Sequence, residues 1–419
     1  MGKVTLILIL FIFNIVLGQH HCGTDHYNEK FINDNPIKYD IIEWELQEYL
    51  NSGSRNIKDG NVIIPVVFHI VYKNDNKYEN IPDSIIHHQL EVLNESFNLQ
   101  NTDTSILTDT LKKWVGDMGI SFELAWKNPI GNITDGITRT STDVSIFNLD
   151  NKIKNNRLGG ADPWNTKKYL NIWVCDLYSS LIGYSQFPGG PDSLDGVVLD
   201  YAVVGKGDYG WNDEHPDWVG GRVLVHEIGH WLNLYHPWGN EGGCSDDSIP
   251  ETEPQTGPIY TFFRCPDTIM TQCGPSEDDM YTRAFTKHYM DYSGNDCGVT
   301  FTINQVKRGR ASLFTYREEM INSYEESSIP ETFNKTKIIL NHTYDGFYIE
   351  LPKYEGELKI VIYDILGRIL NIETLSGQRF KQVNLNRYSD GVYIVNLINE
   401  GRKVYSQKVI KNKNESNIY

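Results

Sequence analysis

Positive charge is scarce in this chain. Its 38 Lys and Arg are outweighed by 55 Asp and Glu, for a formal net charge of −17, and a protein so acidic repels a phosphate backbone, which argues against nucleic acid as a partner. The acid lies in the body of the chain, since residues 336–419 taken alone are slightly positive. Such a charge suits divalent cations and basic ligands. Long apolar runs are missing as well. After residue 18 no segment reaches the roughly 18 apolar residues that a membrane span needs, so no transmembrane span is expected in the mature protein. No internal repeat is visible.

The one long apolar stretch stands at the start. MGKVTLILILFIFNIVLGQ carries one Lys, an apolar run from Val4 to Leu17 and the small Gly18 before Gln19, the layout of a cleaved secretory signal over residues 1–18. With 419 residues, 40% of them hydrophobic, the rest can bury two or three cores. Residues 19–54 are polar, end in NSGSR and read as a pro-segment. From Val62 the run VIIPVVFHIVY is a strand, and PDSIIHHQLEVLNESF has helical periodicity with Asp83 placed to cap it. SFELAW, YLNIWVCDL and DGVVLDY read as further strands, and LIGYSQFPGG as an edge-type strand ending in a turn. NQVKRGRASLFTYREEMINSY predicts a closing helix. The pattern implies one α/β (α+β) domain with a mixed sheet over residues 55–325. After a linker at 326–335, residues 336–419 carry short alternating runs (KIIL, FYIEL, LKIVIYD, GVYIVNL, KVYSQKVI) that predict a small all-β sandwich.

Six cysteines in an exported chain raise the question of disulfides. Cys244, Cys265, Cys273 and Cys297 follow one another closely, and their spacing leaves all three connectivities open. Cys175 reads as a buried strand thiol, and Cys22, in HHCGT, stands alone.

The stretch VLVHEIGHWLNLYHPWG, Val223 to Gly239, holds three histidines and a glutamate. In a helix, His226 and His230 lie about 40° apart and project from one face, as a shared metal requires, while Glu227 sits about 100° round. That is the division of labour in HExxH: two neutral His ligands, with Glu as general base for a water whose pKa zinc has lowered. Were the helix to continue, His236 would point about 240° away from His230 and lie about 9 Å further along. The helix must therefore break, and Asn233 is the non-Gly residue that best tolerates the left-handed turn.

HEIGHWLNLYH followed by HYMDYSGNDC resembles the metzincin clan of zinc proteases and, within it, the pappalysin-like (M43, cytophagalysin-type) family. The resemblance covers residues 60 to 325 and includes IPVVFHIVY, LNIWVCDL, GYSQFPGG and DGVVLDY, with the last edge strand available to pair an extended peptide substrate. It implies a secreted zinc-dependent endopeptidase acting on proteins or peptides, with one catalytic zinc on His226, His230 and His236 and Glu227 activating the water. It further implies that Met290 forms a methionine turn beneath the metal and that Tyr292 helps to bind the oxyanion. By the same resemblance Cys22 would occupy the zinc in a latent form, and Cys244 would pair with Cys273 and Cys265 with Cys297. In that family an acidic segment is associated with calcium. Here Asp246, Asp247 and Glu251 are the hard oxygen donors at that place, although Glu-Thr-Glu-Pro stands where the family has Asp-Thr-Pro. Asp296 falls where the pocket for the residue just C-terminal to the cut bond is lined, which implies a preference for Arg or Lys there and self-cleavage between Ser54 and Arg55. YDILGRIL, VNLNRYSDGVYIVNL and GRKVYSQKVIKN resemble the Ig-like sorting domain of the Bacteroidetes type IX secretion system, which implies that machinery as a partner and a secreted or cell-surface destination. The rival reading is a catalytically inactive, zinc-stabilised adhesin, against which the intact Glu227 counts.

Overall fold

The computed structural model describes residues 21–51, 61–132, 134–178, 180–205, 220–239, 243–260, 265–274, 282–294, 297–325, 337–341, 346–351, 358–365, 368–375, 380–399 and 402–411. The expected signal at 1–18, the cut site at Ser54 and Arg55, the linker at 326–335 and Asp296 lie outside them.

The chain opens with a two-residue strand, β1 (His21–Cys22), and two helices, α1 (Thr24–Asp34) and α2 (Pro36–Asn51). Next come β2 (Val62–Lys73), α3 (Asp83–Phe97), β3 (Val115–Gly116), β4 (Ile120–Leu124), β5 (Ile137–Thr142), β6 (Leu170–Cys175), β7 (Leu181–Ser185) and β8 (Val197–Asp200). The sheet runs β1-β7-β8-β6-β2-β4, with β5 continuing along the β4 side of β2. All its pairings are parallel except that between β7 and β8. DGVVLDY thus lies inside the sheet, and the edge belongs to β7, along which β1 is laid. The near-continuous apolar run of β2 reflects cover on both faces. On one, Ile64, Val66, Phe68 and Ile70 share a core with Ile85 and Leu93 of α3 and with Leu224 and Ile228. On the other, Val71, Trp173, Tyr184 and Val198 meet Tyr27 of α1, Phe147 and Ile153.

Helix α4 (Arg222–Trp231) carries the histidines, and a loop-rich region with β9 (Thr268–Thr271), β10 (Thr282–Phe285) and β11 (Phe301–Thr302) leads to α5 (Ile303–Tyr316) and α6 (Glu318–Glu325). A capping box starts α5: the Thr302 hydroxyl accepts from Gln305 N, and the Gln305 side chain accepts from Thr302 N. Two sequence expectations need correction. The closing helix is broken at Arg317, whose guanidinium pairs with Asp195 at 2.8 Å and stacks 4.0 Å above Trp231; that tie to the sheet side competes with helix continuation. Asp83 does not cap α3, where Pro82 holds the cap position, because its carboxylate is drawn to Arg139.

Disulfides join Cys244 to Cys273 and Cys265 to Cys297. These overlapping loops brace the segment between α4 and α5, where regular structure is sparse. Cys175 is a buried free thiol.

The C-terminal region is all-β. Its two antiparallel sheets, β12-β13-β16 and β15-β14-β17-β18, comprise β12 (Lys337–Asn341), β13 (Gly346–Glu350), β14 (Leu358–Asp364), β15 (Ile369–Leu375), β16 (Phe380–Asn384), β17 (Gly391–Asn399) and β18 (Arg402–Lys411). One core holds Phe347, Ile349 and Val383 of the first sheet with Ile360, Ile362, Val395 and Leu397 of the second.

Candidate active site

Helix α4 ends where the histidine spacing requires. Leu234 N donates to Gly229 O at 3.0 Å, and Asn233 takes φ +69°, so the chain reverses in a left-handed turn and brings His236 back beside His230. The three Nε2 atoms then stand 3.0, 3.1 and 3.2 Å apart. Around a tetrahedral zinc with bonds of about 2.0 Å, ligand atoms stand about 3.3 Å apart, so the triangle is nearly that of one tetrahedral face. The second ring nitrogens fix the tautomer. Each Nδ1 has an acceptor at 2.7 Å: Tyr289 O for His226, Leu234 O for His230 and the Asp25 carboxylate for His236. With the proton on Nδ1, every Nε2 lone pair is left free to ligate. Burial also keeps the rings neutral, pushing His226 and His236 down to about 3 and His230 well below its ordinary value.

The fourth donor comes from the N-terminal segment. Cys22 Sγ and the three histidine nitrogens lie within 4.8 Å of one another. β1 sets this position: Cys22 N donates to Tyr292 Oη at 2.9 Å, and the strand pairs with β7. Burial, then the charges of Glu227 and Asp25, raise the thiol's pKa well above its ordinary value, so a thiolate at this place requires a cation among the imidazoles. Three imidazoles and a thiolate suit zinc.

Glu227 is fully buried. One oxygen accepts from Thr24 Oγ1 at 2.8 Å and Ser185 Oγ at 3.0 Å; the other, Oε1, accepts no hydrogen bond of normal geometry. Burial raises its pKa to about 7, against the partial relief of Cys22, Thr24 and Ser185. Two glycines make room for this arrangement. A Cβ on Gly183 of β7 would stand 3.1 Å from Glu227 Oε1, and one on Gly229 would stand 2.4 Å from Met290 Sδ. Met290 is fully buried against α4 at that point. Gly229→Ala should therefore push the methionine off the helix and cost about 1–3 kcal/mol of stability by overpacking; thermal unfolding that stays within a degree of the parent would contradict this placement. Tyr292 follows Met290, its hydroxyl on Cys22 N and its ring 5.7 Å from His226 and 5.4 Å from His236. Trp238 stacks on His236 at 4.3 Å.

Several of these residues went unread in the sequence. Thr24 and Asp25 follow Cys22-Gly23 directly, and that polar pair was the available signal. Ser185, Gly183 and Trp238 carried none, being set by contacts from distant parts of the chain.

Comparison with known proteins bears on the same residues. The peptidase M43 model, described as pregnancy-associated plasma protein-A, matches residues 153–314, and a secretion system C-terminal sorting domain matches residues 337–412. The extracellular metalloprotease of Arthroderma otae is 26% identical over 235 residues, 56% of this chain and 70% of that one, and that of Colletotrichum graminicola 28% over 271 residues, 61% and 78%. Among solved structures, a promirolysin mutant from Tannerella forsythia matches with TM-score 0.63 and 37% identity over 73% of this chain and 98% of its own. Mature mirolysin in complex with a cleaved peptide matches with TM-score 0.57 and 38% identity over 64% and 98%. The chain belongs to the pappalysin family, M43.

As a member of that family it is a metalloendopeptidase, for which zinc is the implied metal, and its sorting domain marks it for export to the medium or the cell surface. The acidic residues downstream of the pappalysin zinc motif are not brought together. Asp246 accepts from Ser248 N, Asp247 is taken by the Thr252 hydroxyl and Ile249 N, and Glu251 holds Asn304 at the start of α5. Among the described residues no second metal-type cluster forms, and calcium gains no support.

Proposed function

We propose that the chain is made as a latent zinc endopeptidase whose N-terminal segment, residues 19–54, closes the active site until it is cut away. The observation that carries this reading is that one short stretch meets every reactive group: Cys22 joins the histidine cluster, Thr24 donates to Glu227, and Asp25 accepts from His236. In the released domain, residues 55–325, His226, His230 and His236 hold the metal, which when bound supplies Lewis acidity toward water and the peptide carbonyl. Glu227 takes the proton from the attacking water and returns it to the leaving amine. Tyr292, freed from Cys22 N, turns its hydroxyl toward the developing oxyanion. β7, stripped of β1, offers its edge to an extended peptide. Residues 336–419 form an Ig-like sandwich that directs export through the type IX machinery. An adhesin has no use for a buried carboxylate beside the histidines, which disfavours that alternative. The direct test is hydrolysis of an Arg-containing peptide by the processed chain: we expect activity that a chelator abolishes and zinc restores, and inactivity of the zinc-loaded processed chain would overturn the reading.

The specificity half of the proposal assigns Asp296 to the pocket for the residue after the cut bond. A carboxylate desolvated there is matched by Arg or Lys and left alone by a neutral side chain, which directs self-cleavage to the bond between Ser54 and Arg55. Asp296→Ala should abolish the preference for Arg over Gln at that position. An unchanged preference, or a processed chain whose N-terminal sequence starts far from Arg55, would remove the assignment.

A further inference from the structure

The domain that α5 closes contains a carboxylate cradle whose occupant belongs to the N-terminal segment. Arg308 of α5 has a fully buried side chain. Its Nε donates to Asn233 O at 2.8 Å, and both terminal nitrogens go to Glu43 of α2, Nη1 to Oε2 at 3.0 Å and Nη2 to Oε1. The Tyr235 hydroxyl donates to the same Oε1 at 2.6 Å, and Asn233 Nδ2 lies 3.4 Å from it. Donors on three residues of the catalytic domain thus converge on one carboxylate that this domain does not own. The acid Asp247 acts on Arg308 through space, but its oxygens are occupied by Thr252 and Ile249 N.

The cradle adjoins the metal centre. Asn233 and Tyr235 lie in the turn between His230 and His236, and the Phe187 ring meets His230 at 5.7 Å and Tyr235 at 5.2 Å, edge-on to both. Phe187 follows β7, so an extended chain along that edge leads past Ser185 toward Tyr235.

We propose that, once the segment has left, this cradle takes an acidic side chain of the peptide substrate at a position remote from the cut bond. The proposal rests on the reading above, in which the segment is removed and a peptide replaces it. When Glu43 departs, Arg308 keeps its carbonyl partner and the through-space charge of Asp247 but loses the one carboxylate bonded to it directly, which leaves both terminal nitrogens to be satisfied. Its planar fork matches a carboxylate in two bonds and a neutral amide in at most one, so the vacated site discriminates Glu or Asp from Gln or Asn. The rest of this acidic chain repels such residues, which makes the cradle the place where one is accepted. Although burial raises it, Glu43 is held below its ordinary pKa by Arg308, Tyr235 and Asn233, in keeping with a site built for the anion.

The test scans one Glu, position by position on both sides of a fixed cut site, through fluorescent peptides, each with a Gln counterpart. Binding is read by anisotropy on processed, zinc-loaded chain carrying Glu227→Ala. At one position the Glu peptide should bind about tenfold tighter than its Gln partner, as two charge-assisted hydrogen bonds allow. Tyr235→Phe, which keeps the ring against Phe187, should narrow that ratio to about threefold, and Arg308→Gln should bring it to unity. The idea fails if no position shows a preference, or if the ratio in Tyr235→Phe is as large as in the parent; the latter variant decides the matter should Arg308→Gln not fold. Turnover by processed chain with Glu227 intact separates the two levels. If it cleaves neutral and acidic peptides alike and the binding ratios are flat, the cradle alone is rejected; no cleavage of any peptide rejects the protease reading, while the binding ratios still judge the cradle.

Discussion

Glu227→Ala should lower peptide hydrolysis by about 10²- to 10⁴-fold, the usual contribution of a positioned general base, and should leave zinc bound in full stoichiometry. The second half of that outcome matters as much as the first. The carboxylate is not one of the groups whose donor atoms converge with the three histidine nitrogens. Oε2 is held by Thr24 and Ser185, and Oε1 is left without a normal hydrogen bond. A buried carboxylate oxygen without such a bond is available to take a proton. Gly183 leaves the oxygen room, since a Cβ there would stand 3.1 Å from it. Metal content by mass spectrometry, beside initial rates on one peptide, checks both halves. Loss of zinc in the variant would make Glu227 a ligand and overturn its role; a rate within a few-fold of the parent would remove it from the chemistry. Glu227→Gln sharpens the comparison, because it keeps the two hydrogen-bonded contacts in shape while losing the base.

The convergence of the three histidines was legible in the sequence because helical geometry is local. His226 and His230 share a face by their spacing, and His236 could join them only through a break that Asn233 permits; the observed φ of +69° lies at that residue. The alternating runs after residue 336 likewise read directly as strands, since period-two patterning needs no tertiary partner. Contacts made across long stretches of chain left no such mark. Residues 24–51 read as a polar pro-segment without regular structure, yet they form two helices whose Thr24, Asp25 and Glu43 each meet partners more than two hundred residues later. DGVVLDY has the same look whether a strand is interior or at an edge, and only the order of the sheet places it inside. The break at Arg317 was hidden for the same reason, because Asp195 and Trp231, which hold that residue, are remote in sequence.

The second large effect concerns latency. In a chain that cannot be cut after Ser54, made so by Arg55→Gln, the further change Cys22→Ala should raise hydrolysis of a small peptide about 10²-fold. One thiolate among four zinc ligands accounts for a few kcal/mol of a site worth roughly 10 to 16, and each 1.4 kcal/mol is a factor of ten. The segment stays docked after that change, through β1 on β7, Asp25 on His236 and Glu43 on Arg308, so activity should remain below that of the processed chain. Thr24→Ala should behave differently. It removes one of the two hydrogen bonds to Glu227 Oε2, that from Ser185 remaining, but leaves the fourth ligand in place, and should activate little by itself. The order of the two variants is therefore the diagnostic: a Cys22→Ala chain as silent as its parent, beside an active Thr24→Ala chain, would show that the segment inhibits by holding the base and not by occupying the metal. A measurement independent of activity reaches the same question. In the zinc-loaded intact chain Cys22 should resist alkylation, and chelation should expose one additional thiol that is absent from Cys22→Ala, since the remaining free cysteine, Cys175, is buried in β6. Ready labelling of Cys22 in the zinc-loaded intact chain would sever the thiol from the metal.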